Sequence, residues 1–222
     1  TVVLVRQEEK ILEMKEKFLD LHNKFNVKNR ARKVALPVDA IKEDSELSED
    51  VARLLPAAEV EVYQSIVGSL QWVVGCTRPD GKLGCFLLST RLAKPRVWDM
   101  YLAVYMMDYM VNTYDAPLVL GGDEMDPVVF ADASFATLPE RRSIMGHVAF
   151  SGKGSGAIYA QVGSTKSAVT SIWEAELMAG CAGMDTAVYI TNACKELGYD
   201  VPARRTVKVD NKAEIDWVKG SV

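Results

Sequence analysis

The sequence predicts a mixed α/β fold over residues 123 to 222, preceded by a mainly α-helical region. Three observations carry this. Apolar residues recur at helical spacing between Val62 and Thr113, strand-like runs begin after the turn Gly121-Gly122-Asp123, and the later elements follow in the order strand, strand, strand, helix, strand. That order fits an α/β domain with a mixed sheet.

At 222 residues the chain is long enough for one large or two small domains, and 49% hydrophobic content is that of an ordinary globular protein. A net charge of −4 and a pI near 5.3 exclude the chain-wide basic footprint of a nucleic-acid binder. Any polyanion must therefore be met by local groups or by other parts of a longer protein. Four cysteines, Cys76, Cys85, Cys181 and Cys194, match neither a zinc knuckle nor a Cys-x-x-Cys motif and read as buried thiols of a reducing compartment. No charge-free apolar run reaches about 18 residues. The opening Thr-Val-Val-Leu-Val-Arg also lacks a signal-peptide layout, so the expectation is an intracellular protein with no membrane partner. The absence of an initiator Met reads as the mark of a fragment.

The first region, residues 1 to 62, begins with a helix over Arg6 to Phe25. Ile11, Met14, Phe18, Leu21 and Phe25 recur at steps of three and four, Leu12 and Leu19 widen the stripe, and Glu8, Glu9, Lys10, Lys15, Glu16 and Lys17 lie opposite. A surface helix docked on a core fits this pattern, and a coiled-coil partner helix is the alternative. His22 lies on the same helix without an evident partner. The basic cluster Lys28 to Lys33, then Leu36-Pro37-Val38 and the acidic Glu43 to Asp50, read as a charged linker in which Arg30, Arg32 and Lys33 are candidate phosphate contacts.

The second region, 63 to 122, is helical. Ile66, Leu70 and Val73 share a face, Gly68 leaves room for a close neighbour, and breaks fall at Arg78-Pro79-Asp80-Gly81 and near Pro95. Trp98, Tyr101, Leu102, Tyr105 and Tyr109 line one side of the last helix, which suits core or interface packing, with base stacking as the functional alternative.

The third region, 123 to 222, starts with the strand Val128 to Ala133, which delivers Asp132 to its end on the same face as Val128 and Phe130. Ile144 to Ser151 and Gly156 to Val162 are the next strands. Their glycine-rich connection, Gly152-Lys-Gly-Ser-Gly156, opens no helix and reads as a hairpin turn rather than a phosphate cradle. Ser171-Ile-Trp-Glu174 matches a capping box for a helix running to about Leu197 and closed by Gly198, with Leu177, Cys181, Met184, Val188 and Ala193 lining its buried side. Thr206 to Asp210 is a fourth strand, again ending in an acid.

Glu174 and Glu176 point about 200° apart on a helix, so only one can face a given site. The capping box occupies Glu174 and leaves Glu176. If the first and fourth strands are adjacent and parallel, Asp132 and Asp210 end side by side and three acids converge near one helix start. Each acid taken singly also reads as an ordinary turn or cap residue. Together, crowded carboxylates repel, and the hard cations Mg²⁺ or Mn²⁺ resolve the conflict. Two such ions would clamp the attacking water and leaving oxygen of a phosphodiester.

The motifs Phe130-Ala-Asp-Ala-Ser-Phe135, Glu140-Arg-Arg-Ser143 with Gly146 and Val148, Ser171-Ile-Trp-Glu-Ala-Glu-Leu-Met178, and Val209-Asp-Asn211 with Ala213 and Ile215 resemble the ribonuclease H domain of copia-type LTR retrotransposon Pol polyproteins. Tyr63-Gln-Ser-Ile-Val-Gly-Ser-Leu and Cys76-Thr-Arg-Pro-Asp80 resemble the connection between reverse transcriptase and ribonuclease H, and Phe25 to Val38 is similar to the end of the polymerase thumb. The resemblance covers nearly the whole chain. It implies a ribonuclease H-like α/β fold preceded by a thumb-like and a connection-like region, with Asp132, Glu176 and Asp210 as catalytic, metal-binding acids. The implied reaction is hydrolysis of the RNA strand of an RNA–DNA hybrid with two Mg²⁺ ions, in a cytoplasmic virus-like particle or the nucleus. Arg141 and Arg142 would meet substrate phosphates, weighed against an ordinary solvated loop, and the remainder of the polyprotein would be the protein partner. His147 stands where the family has a tyrosine and reads as packing. Ser134 replaces a common acid, Trp173 replaces a small residue, and the family's fourth metal-binding acid lies beyond the Val-Asp-Asn motif. The competing expectation is a catalytically inactive remnant acting as a nucleic-acid or protein-binding scaffold.

Overall fold

The structure, a computed structural model, describes residues 2–25, 32–37, 39–42, 46–122, 125–138, 141–211, 215 and 219–220, the side chains of His22 and Asn23 excepted. Arg30, Glu140, Ala213 and the side chain of His22, singled out above, lie outside the described residues. The chain divides into two compact units, a helical one of Arg6–Pro117 and an α/β one of Thr1–Val5 with Leu118–Val222.

In the helical unit, α1 (Glu8–Lys17) places Glu8 and Glu9 in its first turn and Lys15 and Lys17 in its last, complementing the helix dipole. Ile11, Met14 and Phe18 are buried, so the helix docks on a core. The single helix expected from Arg6 to Phe25 is instead two. The chain leaves helical geometry at Phe18, and α2 (Leu21–Lys24) follows a short turn that lets Phe18, Leu21 and Phe25 all pack on the same core. After α3 (Glu49–Ala52), the long α4 (Ala57–Cys76) buries Tyr63, Ile66, Val67, Leu70, Val73 and Val74. The buried Tyr63 hydroxyl donates to the Leu88 carbonyl at 2.7 Å, which offsets its desolvation.

Gly68 faces open space, contrary to expectation. The close approach is made by Gly81, where a Cβ would lie 2.5 Å from Val74 Cγ2 and 2.6 Å from Met110 Cε, because the turn after α4 packs directly on the core. Beyond it come α5 (Lys82–Ser89) and α6 (Val97–Asn112), whose buried face is rich in methionine: Met100, Met106, Met107 and Met110. The aromatic side of α6 is packed. Trp98 and Tyr101 stack at 5.1 Å, the Arg32 guanidinium sits 4.2 Å from the Tyr105 ring centre, and Lys42 Nζ lies 4.5 Å over Trp98. Arg32, a candidate phosphate contact in the sequence, is thus placed on a tyrosine face.

Arg78 ties the end of α4 to the end of α6. Its guanidinium donates twice to Asp80, at 3.0 and 2.8 Å, and to the Thr113 carbonyl and hydroxyl at 3.0 and 2.8 Å. The Tyr109 hydroxyl donates to Asp80 at 2.6 Å. Burial pushes the Asp80 carboxyl up, but the bonds from Arg78 and Tyr109 together outweigh it and hold the group below its ordinary 3.8.

In the α/β unit, β1 (Val2–Val5) pairs antiparallel with β2 (Leu118–Gly121), a four-residue partner too short to stand out in the sequence. The main sheet contains β3 (Val128–Ser134), β4 (Ile144–Phe150), β5 (Ala157–Ser164) and β6 (Thr206–Lys208) in the order β5-β4-β3-β6. β3 and β6 are parallel and the other pairs antiparallel, giving a mixed sheet. The β4–β5 connection is a hairpin turn with Gly154 at φ 79, and a Cβ at Gly156 would meet the Val119 carbonyl at 2.7 Å.

One helix, α7 (Ile172–Glu196), covers the Val129 and Ala131 face of β3, and Gly198 closes it at φ 83. Its buried side corrects the sequence reading: Ala175, Ala179, Gly183, Ala187, Ile190 and Cys194 face inward, while Cys181 and Met184 are exposed. Small residues let the helix axis come close to the sheet, so residue size, not hydrophobicity, chose the face. Two of the four thiols expected to be buried, Cys76 and Cys181, are exposed. No helix among the described residues is long and apolar enough to cross a membrane.

Arg78→Ala takes from the partly exposed Asp80 its guanidinium partner, leaves it the Tyr109 hydroxyl, and is expected to lower unfolding free energy by about 1–3 kcal/mol. Urea denaturation measures this. Because the folded-state carboxyl titrates below 3.8, its contribution is present above that pH and is lost as pH falls further. The wild-type advantage over the variant should therefore shrink below about pH 4.

Candidate metal centre

Strand register brings two acids together. Phe130 on β3 lies opposite Lys208 on the parallel β6, and two residues further along each chain stand Asp132 and Asp210. Lys208 Nζ lies 5.1 Å over the Phe130 ring, on the face of the sheet away from α7. That explains the acid sharing a face with Val128 and Phe130: this face is open among the described residues, and Phe130 is 43% exposed.

The third acid comes from α7. A Cβ at Gly183 would lie 3.0 Å from Ala131 Cβ and 3.3 Å from Val207 Cγ1, so the helix sits almost in backbone contact with β3 and β6. Ser171 caps its start, the hydroxyl accepting from the Glu174 amide at 3.1 Å. The Glu174 carboxylate accepts from the amide and hydroxyl of Thr170, at 2.6 and 2.8 Å, rather than from Ser171 as a strict capping box requires. Those two bonds hold its carboxyl below the ordinary range. Two residues on, Glu176 turns inward, is only 8% exposed, and accepts from the Ala133 amide at 3.2 Å.

Carboxylate oxygens of Asp132, Glu176 and Asp210 all lie within 4.8 Å of one another. The Ala133 amide also donates to Asp132 at 2.9 Å, so one N–H is shared between two of the acids. Such a backbone group leaves no trace in side-chain identity, and sequence reasoning missed it. One shared hydrogen bond does not offset three negative charges. The all-oxygen donor set, one buried member and two exposed, suits a hard divalent cation such as Mg²⁺ or Mn²⁺.

Arg141 and Arg142 occupy the β3–β4 loop, at the end of the sheet where Asp132 stands. Arg141 is exposed with φ 57, and Arg142 is partly buried. His147 packs as expected: it stacks on Tyr159 at 5.9 Å, its Nε2 lies 2.9 Å from the Thr186 hydroxyl, and burial lowers its pKa below 6.5.

An interior strand and its parallel neighbour, each leading to an acid that meets a glutamate from the covering helix, define an α/β protein with a candidate divalent-metal centre. The chain is 27% identical over 227 aligned positions to the retrovirus-related Pol polyprotein from transposon TNT 1-94 of Nicotiana tabacum. The match takes in 100% of this chain and 17% of that polyprotein, so the chain spans about a sixth of its relative's length. No family profile and no solved structure matches.

Gly183→Val is expected to cost about 1–3 kcal/mol by overpacking and to push α7, with Glu176, away from β3. Mg²⁺ at about ten times its dissociation constant should stabilise the wild type by about 1.4 kcal/mol. Thermal unfolding with and without the ion reads this, and the increment should be absent in Asp132→Asn and reduced in Gly183→Val.

Proposed function

We propose that the chain is a portion of a retrotransposon-type Pol polyprotein, with thumb-like (1–62), connection-like (63–122) and ribonuclease H-like (123–222) parts. In the parent protein it hydrolyses the RNA strand of RNA–DNA hybrids. The observation that carries this reading is the convergence of Asp132, Glu176 and Asp210 to within 4.8 Å from two parallel strand ends and one helix. The similarity to a Pol polyprotein along the whole chain supports the parentage.

The residues divide the work by burial. Glu176, buried and fixed by the Ala133 amide, holds the inner side of the centre, while Asp132 and Asp210 face solvent, the side from which a phosphodiester can enter. All three act as ligands and none as the attacking nucleophile. A pair of Mg²⁺ ions, when bound, supplies an activated water and neutralises the leaving oxygen. Arg141 and Arg142 contact the phosphates flanking the cleaved bond, and the rest of the polyprotein completes the substrate channel.

A labelled RNA–DNA hybrid incubated with the chain, alone and extended by the following polyprotein residues, tests this directly. Cleavage of the RNA strand should require Mg²⁺ or Mn²⁺ and spare double-stranded DNA. Asp132→Asn, Glu176→Gln and Asp210→Asn should each slow it by roughly 100-fold or more, about 2.7 kcal/mol of barrier. Undiminished cleavage by Asp132→Asn would remove the carboxylates from the reaction.

A further inference from the structure

Two loops meet at the end of the sheet that carries the acids. β3 ends at Ser134, which pairs with Ile144 at the start of β4, and Ile144 pairs with Ser164 at the end of β5. The β3–β4 loop and the β5–α7 loop therefore leave the sheet side by side, and the second runs directly into the helix that supplies Glu176.

Ser143 and Thr165 lock these loops together. The Ser143 amide donates to the Thr165 hydroxyl at 3.0 Å, and the Thr165 amide donates to the Ser143 carbonyl at 2.9 Å. The Ser143 hydroxyl in turn accepts from the amide of Ala136, a non-glycine residue at φ 52, also at 3.0 Å. Both clamp residues are almost wholly buried, at 0% and 1% exposure, although both are polar. Backbone held this way at a loop base fixes what lies beside it. On one side stands the exposed Arg141, and on the other the exposed Lys166-Ser167-Ala168, pinned at its far end by the buried Val169.

From this we infer that Arg141 and Lys166 form a cationic rim that takes the phosphodiester backbone of a nucleic-acid duplex, with Ser143 and Thr165 as the positioning residues that keep the two cations in register. Lys166 adds a second loop to the candidate phosphate contacts. The inference rests on the hydrolytic reading above, and it places local positive charge beside the acids in a chain whose net charge is −4. A backbone track of this kind is indifferent to base sequence.

Salt dependence of binding separates the two ideas. The full chain is titrated with a short RNA–DNA hybrid in EDTA, where no metal-dependent cleavage intervenes, across a range of KCl. Lys166→Ala and Arg141→Ala should each flatten the slope of log K against log salt by about 0.7–0.9, the share of one phosphate contact. Lys153→Ala, an exposed lysine on the hairpin at the opposite end of the same sheet, should leave the slope unchanged. Thr165→Val should lose most of both contributions although it removes no charge, and Thr165→Ser should restore them. Circular dichroism of each variant checks that the fold is kept. Equal slopes for wild type, Lys166→Ala and Lys153→Ala would overturn the rim, as would absence of wild-type binding at low salt. A hybrid bound with the expected slopes yet left intact on adding Mg²⁺ would instead overturn the cleavage reading and leave the rim standing.

Discussion

The contact between α7 and the middle of the sheet sets the geometry on which the candidate centre depends. Gly183 lies against Ala131 and Val207, so the helix axis approaches β3 and β6 at once, at the level where the two parallel strands run toward their acids. A larger side chain at any of these three positions would move the helix outward. The face of small residues continues through Ala175, Ala179 and Ala187 and keeps the approach constant along the helix. Glu176, close to the helix start, then needs only its own side-chain length to reach the Ala133 amide. Convergence of three like charges is unfavourable in itself. Tight packing a few residues away holds the buried Glu176 in place, while Asp132 and Asp210 keep their charge in contact with solvent.

The helical unit handles charge in a different way. Arg32, Lys42 and Arg78 each lie over an aromatic ring, Tyr105, Trp98 and Tyr109 respectively, and Arg78 and Arg96 are in addition paired with aspartates on nearby turns. These cations are engaged inside the unit, where cation–π and hydrogen-bonded contacts each contribute on the order of 0.5–2 kcal/mol. They secure Arg32, Lys42 and the end of α4 against α6. This distribution separates structural cations from the exposed Arg141 and Lys166 of the α/β unit.

The strand and helix order of residues 123 to 222 was legible because alternation, turn glycines and the Ser171 cap are local signals, and β3, β4, β5 and α7 begin within a few residues of the expected positions. The pairing of Asp132 with Asp210 followed once β3 and β6 were taken as parallel neighbours. What escaped had physical causes. The inward face of α7 was misassigned because Leu177, Met184 and Val188 outrank alanine and glycine in hydrophobicity, whereas closeness of approach selected the smaller residues. The pairing of β1 with β2 joins residues more than a hundred positions apart, and four-residue strands carry little periodic signal. The break at Phe18 gave no warning because no glycine or proline marks it. The Ala133 amide and the Ser143–Thr165 clamp are backbone-mediated, and no side-chain pattern encodes them.

On the proposed reading, the electrostatics of the α/β unit have to satisfy two opposed demands. Three carboxylates, two at strand ends and one on α7, repel a phosphodiester as they attract a metal ion, so substrate and ion must enter as partners in charge. A cationic rim beside the acids, rather than among them, meets both demands. Placed in the cluster, a lysine or arginine would pair with Asp132 or Asp210 and compete with the ion for their oxygens. Set on loops that leave the same end of the sheet, it attracts the duplex backbone without neutralising the ligands. Buried hydrogen bonds at Ser143 and Thr165 keep that spacing without placing any charge near the acids. The polarity of two residues that the burial pattern alone would assign to the apolar core thereby acquires a reason.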